Sequence, residues 1–237
     1  MTYSHRGNIH AFERSVPADA FSTQGFAVLA GVFDDVQCEA IAAKATGVAG
    51  IGTRCLLPHP WCQAVAEQLK SHPLLAAFLP AGFVAAQCTY FEKSRARNWL
   101  VAAHQDLSIP VASRVSNAAL RGWSEKEGSL FVQAPVELLQ QLVAVRLHID
   151  NCSINDGPLR VVPGSHLRGR LEPEAAIAAR QTEGELICPG PRGSVLVMRP
   201  LLVHASSKAT GNSARRVLHF LFGPRELPYG LRWQHAV

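Results

Sequence analysis

The residues best suited to chemistry are a His-x-Asp triplet, His104-Gln105-Asp106, and a histidine about a hundred residues later, His204. If the triplet lies on a β-strand, its outer side chains share one face, with their Cα atoms roughly 7 Å apart. An imidazole, a carboxylate and a second imidazole from a distant strand could then converge on one metal ion. Two histidines and one carboxylate leave three coordination positions open, an arrangement typical of non-haem Fe(II) oxygenases.

On its own, the triplet is weak evidence for a metal site. The 237 residues include 10 histidines and 18 acidic residues, so such pairs arise by chance, and a surface ion pair of His104 with Asp106 is the alternative. For His204 the alternative is a core histidine bonded to a backbone carbonyl. The order of the surrounding apolar and polar segments is what favours a metal site.

Two apolar segments near the C-terminus flank a polar turn. The first, residues 193–206, ends in His204-Ala205-Ser206, the turn covers residues 207–214, and the second segment covers residues 215–222. Enrichment in Val, Leu and Phe on both sides of a polar linker predicts two strands joined by a loop. Arg215 would then open the second strand close to the point where His204 ends the first.

An arginine at this point suits a dicarboxylate that chelates iron through its other end. A guanidinium holds a carboxylate by two parallel hydrogen bonds. Arg215 competes for this role with Arg216, because alternation lets only one of them face the interior, and the other is expected to be a solvated cation. His219 shares the face of Arg215, where a core position and a cavity position are both open.

The order of these motifs resembles the phytanoyl-CoA dioxygenase family of Fe(II)- and 2-oxoglutarate-dependent oxygenases, of which ectoine hydroxylase is a relative. The resemblance runs from about Gly25 to Gly223 and includes the segments Gly193-Ser-Val-Leu-Val and Asn155-Asp-Gly-Pro-Leu-Arg-Val-Val-Pro-Gly-Ser-His166. It implies a mainly β fold with some α: a double-stranded β-helix, the jelly-roll or cupin-like barrel, with flanking and mostly N-terminal helices.

The resemblance implies a site for Fe(II) with His104, Asp106 and His204 as the ligands and catalytic residues. It also implies that the protein consumes O2 and 2-oxoglutarate, releases succinate and CO2, and hydroxylates a C–H bond of a small substrate. Halogenating relatives have a small residue in place of the ligand carboxylate, so Asp106 disfavours halogenation.

The resemblance further implies which residues bind the cosubstrate 2-oxoglutarate. The arginine of the family that binds it corresponds to Arg215, eleven residues after His204, and Ser206 matches a position that contacts it. Gln87 matches a cosubstrate-binding glutamine of the ectoine hydroxylase branch. Phe91 departs from that branch, which has an asparagine there.

Two other functions fit the same motifs. Desaturation or ring formation can use the same three ligands, because substrate placement decides the outcome. A non-catalytic sensor of a metal or of 2-oxoglutarate could also keep the barrel. Consumption of 2-oxoglutarate would separate an enzyme from such a sensor.

Composition predicts one domain, residues 1–237, with ample apolar material for a core: 48% of the residues are hydrophobic and 17% are charged. The net charge of +5 weakly favours small anionic ligands, and the absence of a recognition motif argues against nucleic-acid binding. Six cysteines without a Cys-x-x-Cys pair, no apolar leader and no run of eighteen apolar residues predict a reduced, cytoplasmic protein with no membrane contact. The oligomeric state is open.

Local patterns predict helices mainly in the N-terminal part and strands elsewhere. Residues 1–24 are expected to be a polar arm, and residues 107–133 an active-site lid. Asp34 and Asp35 should cap a helix that buries Val36, Ile41 and Ala42. Helices are also predicted at residues 60–71, 74–79 and 171–180, and strands at residues 25–33, 84–91, 142–150 and 159–162.

Four residues are candidates for substrate contact. Arg146 and His148 share the polar face of the strand predicted at residues 142–150, and they could touch a substrate if that face lines the cavity, or be surface residues if it does not. Arg114 and Trp123 lie in the predicted lid, where Trp123 could instead serve packing. His166 follows a Pro-Gly-Ser turn and is expected to fix the geometry of the loop.

Overall fold

Antiparallel β-sheets form the core of the fold in a computed structural model of the chain, which describes residues 18–47, 53–211 and 214–237. The described residues contain twelve strands: Phe26–Leu29 (β1), Phe83–Lys93 (β2), Val101–His104 (β3), Ser108–Pro110 (β4), Arg121–Lys126 (β5), Ser129–Gln133 (β6), Val143–His148 (β7), Leu159–Val161 (β8), Leu186–Cys188 (β9), Val195–Met198 (β10), His204–Ser206 (β11) and Arg215–Pro224 (β12).

The strands form three sheets, two of which face each other as the barrel. The larger sheet has the order β1-β10-β7-β12-β2, and the smaller has the order β3-β11-β8-β9. Apolar residues of both sheets pack together between them: Ala144, Leu159, Val161, Cys188, Leu196 and Met198. This is the predicted jelly-roll core. The third sheet, β4-β6-β5, packs in another apolar cluster, which also includes Val84 and Ala86 of β2 and Leu221 of β12.

Helices pack on the outside of the sheets, and two of them cover the outer face of the larger sheet. The described helices are Ala18–Gln24 (α1), Asp35–Ala45 (α2), Pro60–Ser71 (α3), Val136–Leu139 (α4) and Pro173–Glu183 (α5), with short 3-10 helices at Pro73–Leu75 and Ser165–Arg168. Of these, α5 packs against β3 and β11 of the smaller sheet, and α4 packs with the third sheet. Residues of α2 and α3 pack with Val143, Val145 and Leu147 of β7 in the largest apolar cluster. Because side chains alternate along β7, Arg146 and His148 point into the barrel instead.

The start of α2 is capped as the sequence predicts. The Asp34 carboxylate accepts a hydrogen bond from the Gln37 amide at 2.7 Å, and the Gln37 side chain accepts one from the Asp34 amide at 2.9 Å. The prediction that Val36 is buried is wrong, since it is 77% exposed. The buried stripe of α2 is Cys38, Ile41, Ala42 and Ala45.

Several segment predictions need correction. Residues 18–24 of the predicted arm form α1, and residues 1–17 lie outside the described part of the chain. The lid segment, 107–133, is not a long loop, because it contains β4, β5 and β6. Residues 193–206 form two strands in different sheets, β10 and β11, since Pro200 lies between them. Residues 212 and 213 of the predicted polar turn are not described.

The remaining elements agree with the predictions within a few residues. The helix predicted at residues 60–71 is α3, and the one at 74–79 is reduced to the 3-10 turn Pro73–Leu75. All six cysteines are free thiols, as expected. Within the described residues, we find no helix with the length and apolar character needed to cross a bilayer.

Candidate metal centre and anion pocket

The three predicted ligands come together at one end of the smaller sheet. His104 and His204 lie directly opposite each other on the antiparallel strands β3 and β11, and their ring centroids are 4.2 Å apart. Asp106 is not on the strand, which ends at His104. Its amide donates a hydrogen bond to the Pro200 carbonyl at 2.9 Å. One ligand atom from each of the three side chains lies within 4.8 Å of the others.

Hydrogen bonds orient both imidazoles for metal binding. The Nδ1 atom of His104 lies 2.8 Å from the Ala102 carbonyl oxygen, and that of His204 lies 2.8 Å from the Leu202 carbonyl oxygen. Because a carbonyl can only accept, each Nδ1 carries the proton and each Nε2 keeps a free lone pair. Both Nε2 atoms are 3.7 Å from the Asp106 carboxylate. The donor set therefore fits a divalent metal that takes two imidazole nitrogens and one carboxylate.

The charge states of the cluster also suit a metal ion. Burial lowers the pKa of His204 to about 4, so its ring is neutral near pH 7 and free to ligate. Burial would raise the pKa of Asp106, but the imidazoles of His204, His219 and His104 outweigh this and hold the pKa below its usual value. Asp106 is therefore ionised at neutral pH.

His219 is a further imidazole at this site. Its Nε2 atom lies 3.6 Å from Oδ2 of Asp106, and its ring meets Phe91 edge-on. The sequence left open whether His219 belongs to the core or to the cavity. The structure places it inside the barrel beside the Asp106 carboxylate.

The middle residue of the triplet, Gln105, ties the metal centre to two loops. Its amide nitrogen donates to the carbonyl oxygens of Gly169, at 2.8 Å, and Leu201, at 2.6 Å. Its side-chain oxygen accepts from the Leu171 amide at 2.7 Å. No role for Gln105 could be predicted from the sequence, because its partners lie more than sixty residues away in the chain.

We expect Gln105→Ala to weaken both the fold and the metal centre. Three buried hydrogen bonds of about 1 kcal/mol each would be lost, so the free energy of unfolding should fall by about 2–4 kcal/mol. Metal affinity should fall by about 10- to 100-fold, as is usual when support for a ligand is removed. Thermal unfolding with and without metal measures both effects. Gln141→Ala, at an exposed glutamine, is the control, and equal behaviour of the two variants would contradict the role of Gln105.

A second buried group of polar residues lies deeper in the barrel. Arg215 and Lys93 are cross-strand neighbours on β12 and β2, and they are only 2% and 1% exposed. The Lys93 ammonium donates to Ser206 Oγ and to the Ser207 carbonyl oxygen, each at 2.5 Å, and Ser206 Oγ donates to the Gly157 carbonyl oxygen at 2.9 Å.

This group, Arg215, Lys93 and Ser206, is called the anion pocket below. Nε and Nη1 of Arg215 are buried without a hydrogen-bond partner in the described part of the chain. Burying a cation without a counter-ion is costly, so such a pocket is suited to an anionic ligand. Burial, followed by the charges of Arg215 and Arg146, lowers the pKa of Lys93 to about 8.

Lys93 was missed in the sequence. The available signal was alternation, because Gln87, Thr89, Phe91 and Lys93 all share one face of β2. A lysine at the end of an apolar strand is usually solvated, and only the pairing of β2 with β12 shows that Lys93 is enclosed.

The two neighbouring arginines face opposite sides of β12. Arg215 faces the barrel, as the family resemblance implied. The expectation that Arg216 is a solvated cation is wrong, because its guanidinium makes a two-point ion pair with the Asp150 carboxylate at 2.7 and 2.8 Å. Asp150 lies past the end of β7 and so does not share the inner face with Arg146 and His148.

The other predicted site residues fall into two regions. Gln87 lies on the inner face of β2, opposite Leu221, and its amide donates to Thr89 Oγ1 at 2.9 Å. Arg146 and His148 are buried inside the barrel. Burial, followed by the charges of Arg146 and Arg215, lowers the pKa of His148 to about 3, so its ring is neutral.

Arg114 and Trp123 pair with each other in the region of the third sheet. The Arg114 guanidinium lies 5.3 Å from the centroid of the Trp123 ring, and Trp123 packs against the apolar cluster of that sheet. His166 lies elsewhere again, with Nε2 3.0 Å from the Ser22 carbonyl oxygen. This bond ties the loop after β8 to α1, as expected for a histidine that fixes loop geometry.

Comparisons with known proteins agree with this geometry. The family model described as Phytanoyl-CoA dioxygenase (PhyH) matches residues 21–217. A sequence search of curated proteins gave no match.

Solved structures share the fold at low sequence identity. EctD from S. alaskensis, in its apoform, is 16% identical with a TM-score of 0.67, covering 97% of this chain and 86% of that one. HygX from Streptomyces hygroscopicus, with nickel and 2-oxoglutarate bound, is 17% identical with a TM-score of 0.60, covering 86% and 84%. SnoK, a non-haem α-ketoglutarate-dependent carbocyclase from nogalamycin biosynthesis, is 15% identical with a TM-score of 0.64, covering 93% and 85%.

Proposed function

Because the chain belongs to the phytanoyl-CoA dioxygenase family, a family of non-haem iron and 2-oxoglutarate-dependent oxygenases, we propose that it hydroxylates a C–H bond of a small organic substrate. Succinate and CO2 would be the co-products, and an anionic substrate is favoured. The observation that carries the proposal is the presence, in one barrel, of a two-histidine, one-carboxylate cluster and a buried anion pocket.

We assign His104, Asp106 and His204 as the Fe(II) ligands. The backbone carbonyls that hold both Nδ1–H groups keep the rings turned toward Asp106, so the donors are oriented before a metal binds. Iron, when bound, supplies the redox chemistry that uses O2 and 2-oxoglutarate. His219 would help to keep Asp106 ionised and in place.

We assign the anion pocket to the far carboxylate of 2-oxoglutarate. Arg215 offers the N–H groups of its unpaired Nε and Nη1 atoms, and Lys93 offers the third N–H of its ammonium. Ser206 donates its proton to the Gly157 carbonyl, and it would reach the carboxylate by turning its hydroxyl. Gln87 lies on the same inner face of β2, two residues from Thr89, which is opposite His219, so it could reach the metal end of the cosubstrate.

The buried lysine predicts a pH dependence of cosubstrate binding. The pKa of Lys93 is about 8 in the free protein, and a carboxylate binds the charged form of the lysine. The affinity for 2-oxoglutarate should therefore be highest below that pH and fall above it. The loss should approach about tenfold per pH unit, because one proton is linked to binding. Titration of metal-free protein with 2-oxoglutarate between about pH 7 and pH 10 measures this. Lys93→Arg should flatten the profile, and an unchanged profile would contradict the assignment.

Turnover of iron-loaded protein tests the function itself. An oxygenase converts 2-oxoglutarate to succinate only when O2 is present, even without its substrate, and a chelator should stop the reaction. A sensor would bind 2-oxoglutarate without consuming it. The expected result is O2-dependent succinate release, and binding without release would overturn the proposal in favour of the sensor.

The mass of the product distinguishes hydroxylation from its rivals. Incubation of the iron-loaded protein with a pool of metabolites should give a product heavier by one oxygen. Loss of two hydrogens would indicate desaturation or ring formation, the latter being the chemistry of the structural neighbour SnoK, a carbocyclase. Either outcome keeps the oxygenase class and decides the reaction.

A further inference from the structure

Arg146 is a buried cation that neither the metal cluster nor the anion pocket uses. It is 6% exposed, and its Nε atom has no hydrogen-bond partner among the described residues. None of the described ion pairs joins it to a carboxylate. Its guanidinium lies over the Phe91 ring, 5.4 Å from the centroid, which fixes its direction without neutralising its charge.

The strand register places this guanidinium between the two sites. Arg146 is opposite His219, whose Nε2 atom is 3.6 Å from Asp106, so its backbone is level with the metal cluster. Phe91, under the guanidinium, is opposite Val217, two residues from Arg215. Two residues of a strand span roughly 7 Å. The Arg146 side chain therefore leans from the metal cluster toward the anion pocket.

Three cations, Arg146, Arg215 and Lys93, thus share the inside of one barrel. Burial and then the Arg215 charge lower the pKa of Arg146 to about 9. A ligand with one carboxylate would neutralise only part of this charge. A 2-oxo dicarboxylate of five carbons brings two carboxylates, one at each end of the chain, and so supplies a counter-charge to both regions.

We propose that Arg146 binds the carboxylate of 2-oxoglutarate next to the 2-oxo group, while the anion pocket binds the far carboxylate. This inference rests on the proposed function. It makes Arg146 a cosubstrate-binding residue and the Phe91 ring its positioning platform. The barrel would then hold both ends of the dicarboxylate by cations of its own, and it should bind 2-oxoglutarate before any metal is present.

Ligand truncation combined with substitution tests this directly. Two probes are titrated into metal-free protein by calorimetry or ligand-observed NMR: 2-oxoglutarate, and 2-oxopentanoate, which lacks the far carboxylate. Arg146→Met should weaken both by about 10- to 100-fold, since a charged hydrogen bond is lost in each case. Arg215→Met should weaken only 2-oxoglutarate. Arg146→Lys, which keeps the charge, should fall between Arg146→Met and the wild type.

The outcomes separate the possible roles of Arg146. Unchanged binding of both probes by Arg146→Met would overturn the proposal and leave substrate contact as its role. Weakened binding of 2-oxoglutarate alone would overturn it too, because Arg146 would then serve the far carboxylate. Failure of metal-free wild-type protein to bind 2-oxoglutarate also counts against it.

Succinate release by the iron-loaded wild-type protein is measured in parallel and tests the proposed function separately from the role of Arg146. If release is intact and the Arg146 results are negative, only the inference fails. If release is absent, the proposed function itself fails. Stability of the Arg146→Met variant is checked by thermal unfolding, and an unchanged or higher melting temperature is expected, because a buried unpaired charge is removed.

Discussion

Replacing His104 with alanine is expected to abolish iron binding and 2-oxoglutarate turnover while the fold stays intact. The His104 side chain is 41% exposed at the end of β3, so its removal takes little from the core. It nevertheless supplies one of the three ligand atoms of the His104, Asp106 and His204 cluster. Iron affinity should fall by more than about 100-fold, because loss of a mere supporting group already costs about 10- to 100-fold. Iron content after anaerobic loading measures the effect.

His166→Ala is the matched control for this experiment. His166 is buried, bonds the Ser22 carbonyl and packs against Gly25, so its loss should cost about 1–3 kcal/mol of stability. It lies outside the metal cluster, and iron content should not change. The two histidines should therefore show opposite behaviour in metal binding and thermal unfolding. Full iron retention by His104→Ala would contradict the assignment of His104 as a metal ligand.

The residues of the metal centre could be predicted, but the backbone that brings them together could not. The triplet was expected to act through strand alternation, yet β3 ends at His104 and Asp106 follows it in a turn. Convergence depends on the pairing of β3 with β11, which sets His104 opposite His204, and on the bond from the Asp106 amide to Pro200. Such long-range register leaves no local pattern in the sequence.

The alternation of side chains along a strand correctly predicted which residues share a face where the strand is buried on both faces. It placed Arg146 and His148 together on one side of β7, and pairing with β10 and β12 makes that side the barrel interior. It could not say whether that side meets water or another sheet, since the second sheet is built from distant segments. The same limit hid Lys93, because enclosure of its ammonium depends on Ser206 and Ser207, more than a hundred residues away.

The secondary structure predicted for residues 107–133 was wrong, because the prediction relied on the length and polarity of the segment. A Ser-, Gly- and Glu-containing segment was expected to be an irregular lid, but it folds as the sheet β4-β6-β5. Its strand β6 carries three consecutive apolar residues, Leu130, Phe131 and Val132, and Leu130 and Val132 pack in an apolar cluster with Leu138 and Leu139 of α4 and with residues of β2 and β12. Whether this sheet covers the substrate stays a prediction.

The second large effect is expected from Arg215→Met, compared with Arg216→Met. The residues are adjacent and chemically identical, but one enters the anion pocket and the other pairs with Asp150 outside it. Loss of two charged hydrogen bonds should raise the KM for 2-oxoglutarate by about 100-fold or more, or about 2.7 kcal/mol. Arg216→Met should leave KM unchanged and cost about 1 kcal/mol of stability, because its ion pair is partly solvated.

The effects of Arg215→Met and Arg216→Met can be compared directly, because the two arginine side chains differ mainly in their environment. Among the described residues, no carboxylate forms an ion pair with Arg215, so removing its charge should not weaken the fold and can even stabilise it. A rise in KM with unchanged or higher melting temperature is then the signature of a residue kept for binding. If both variants raised KM equally, the pocket would not be selective for the inward arginine, and the location of the cosubstrate inside this barrel would have to be given up.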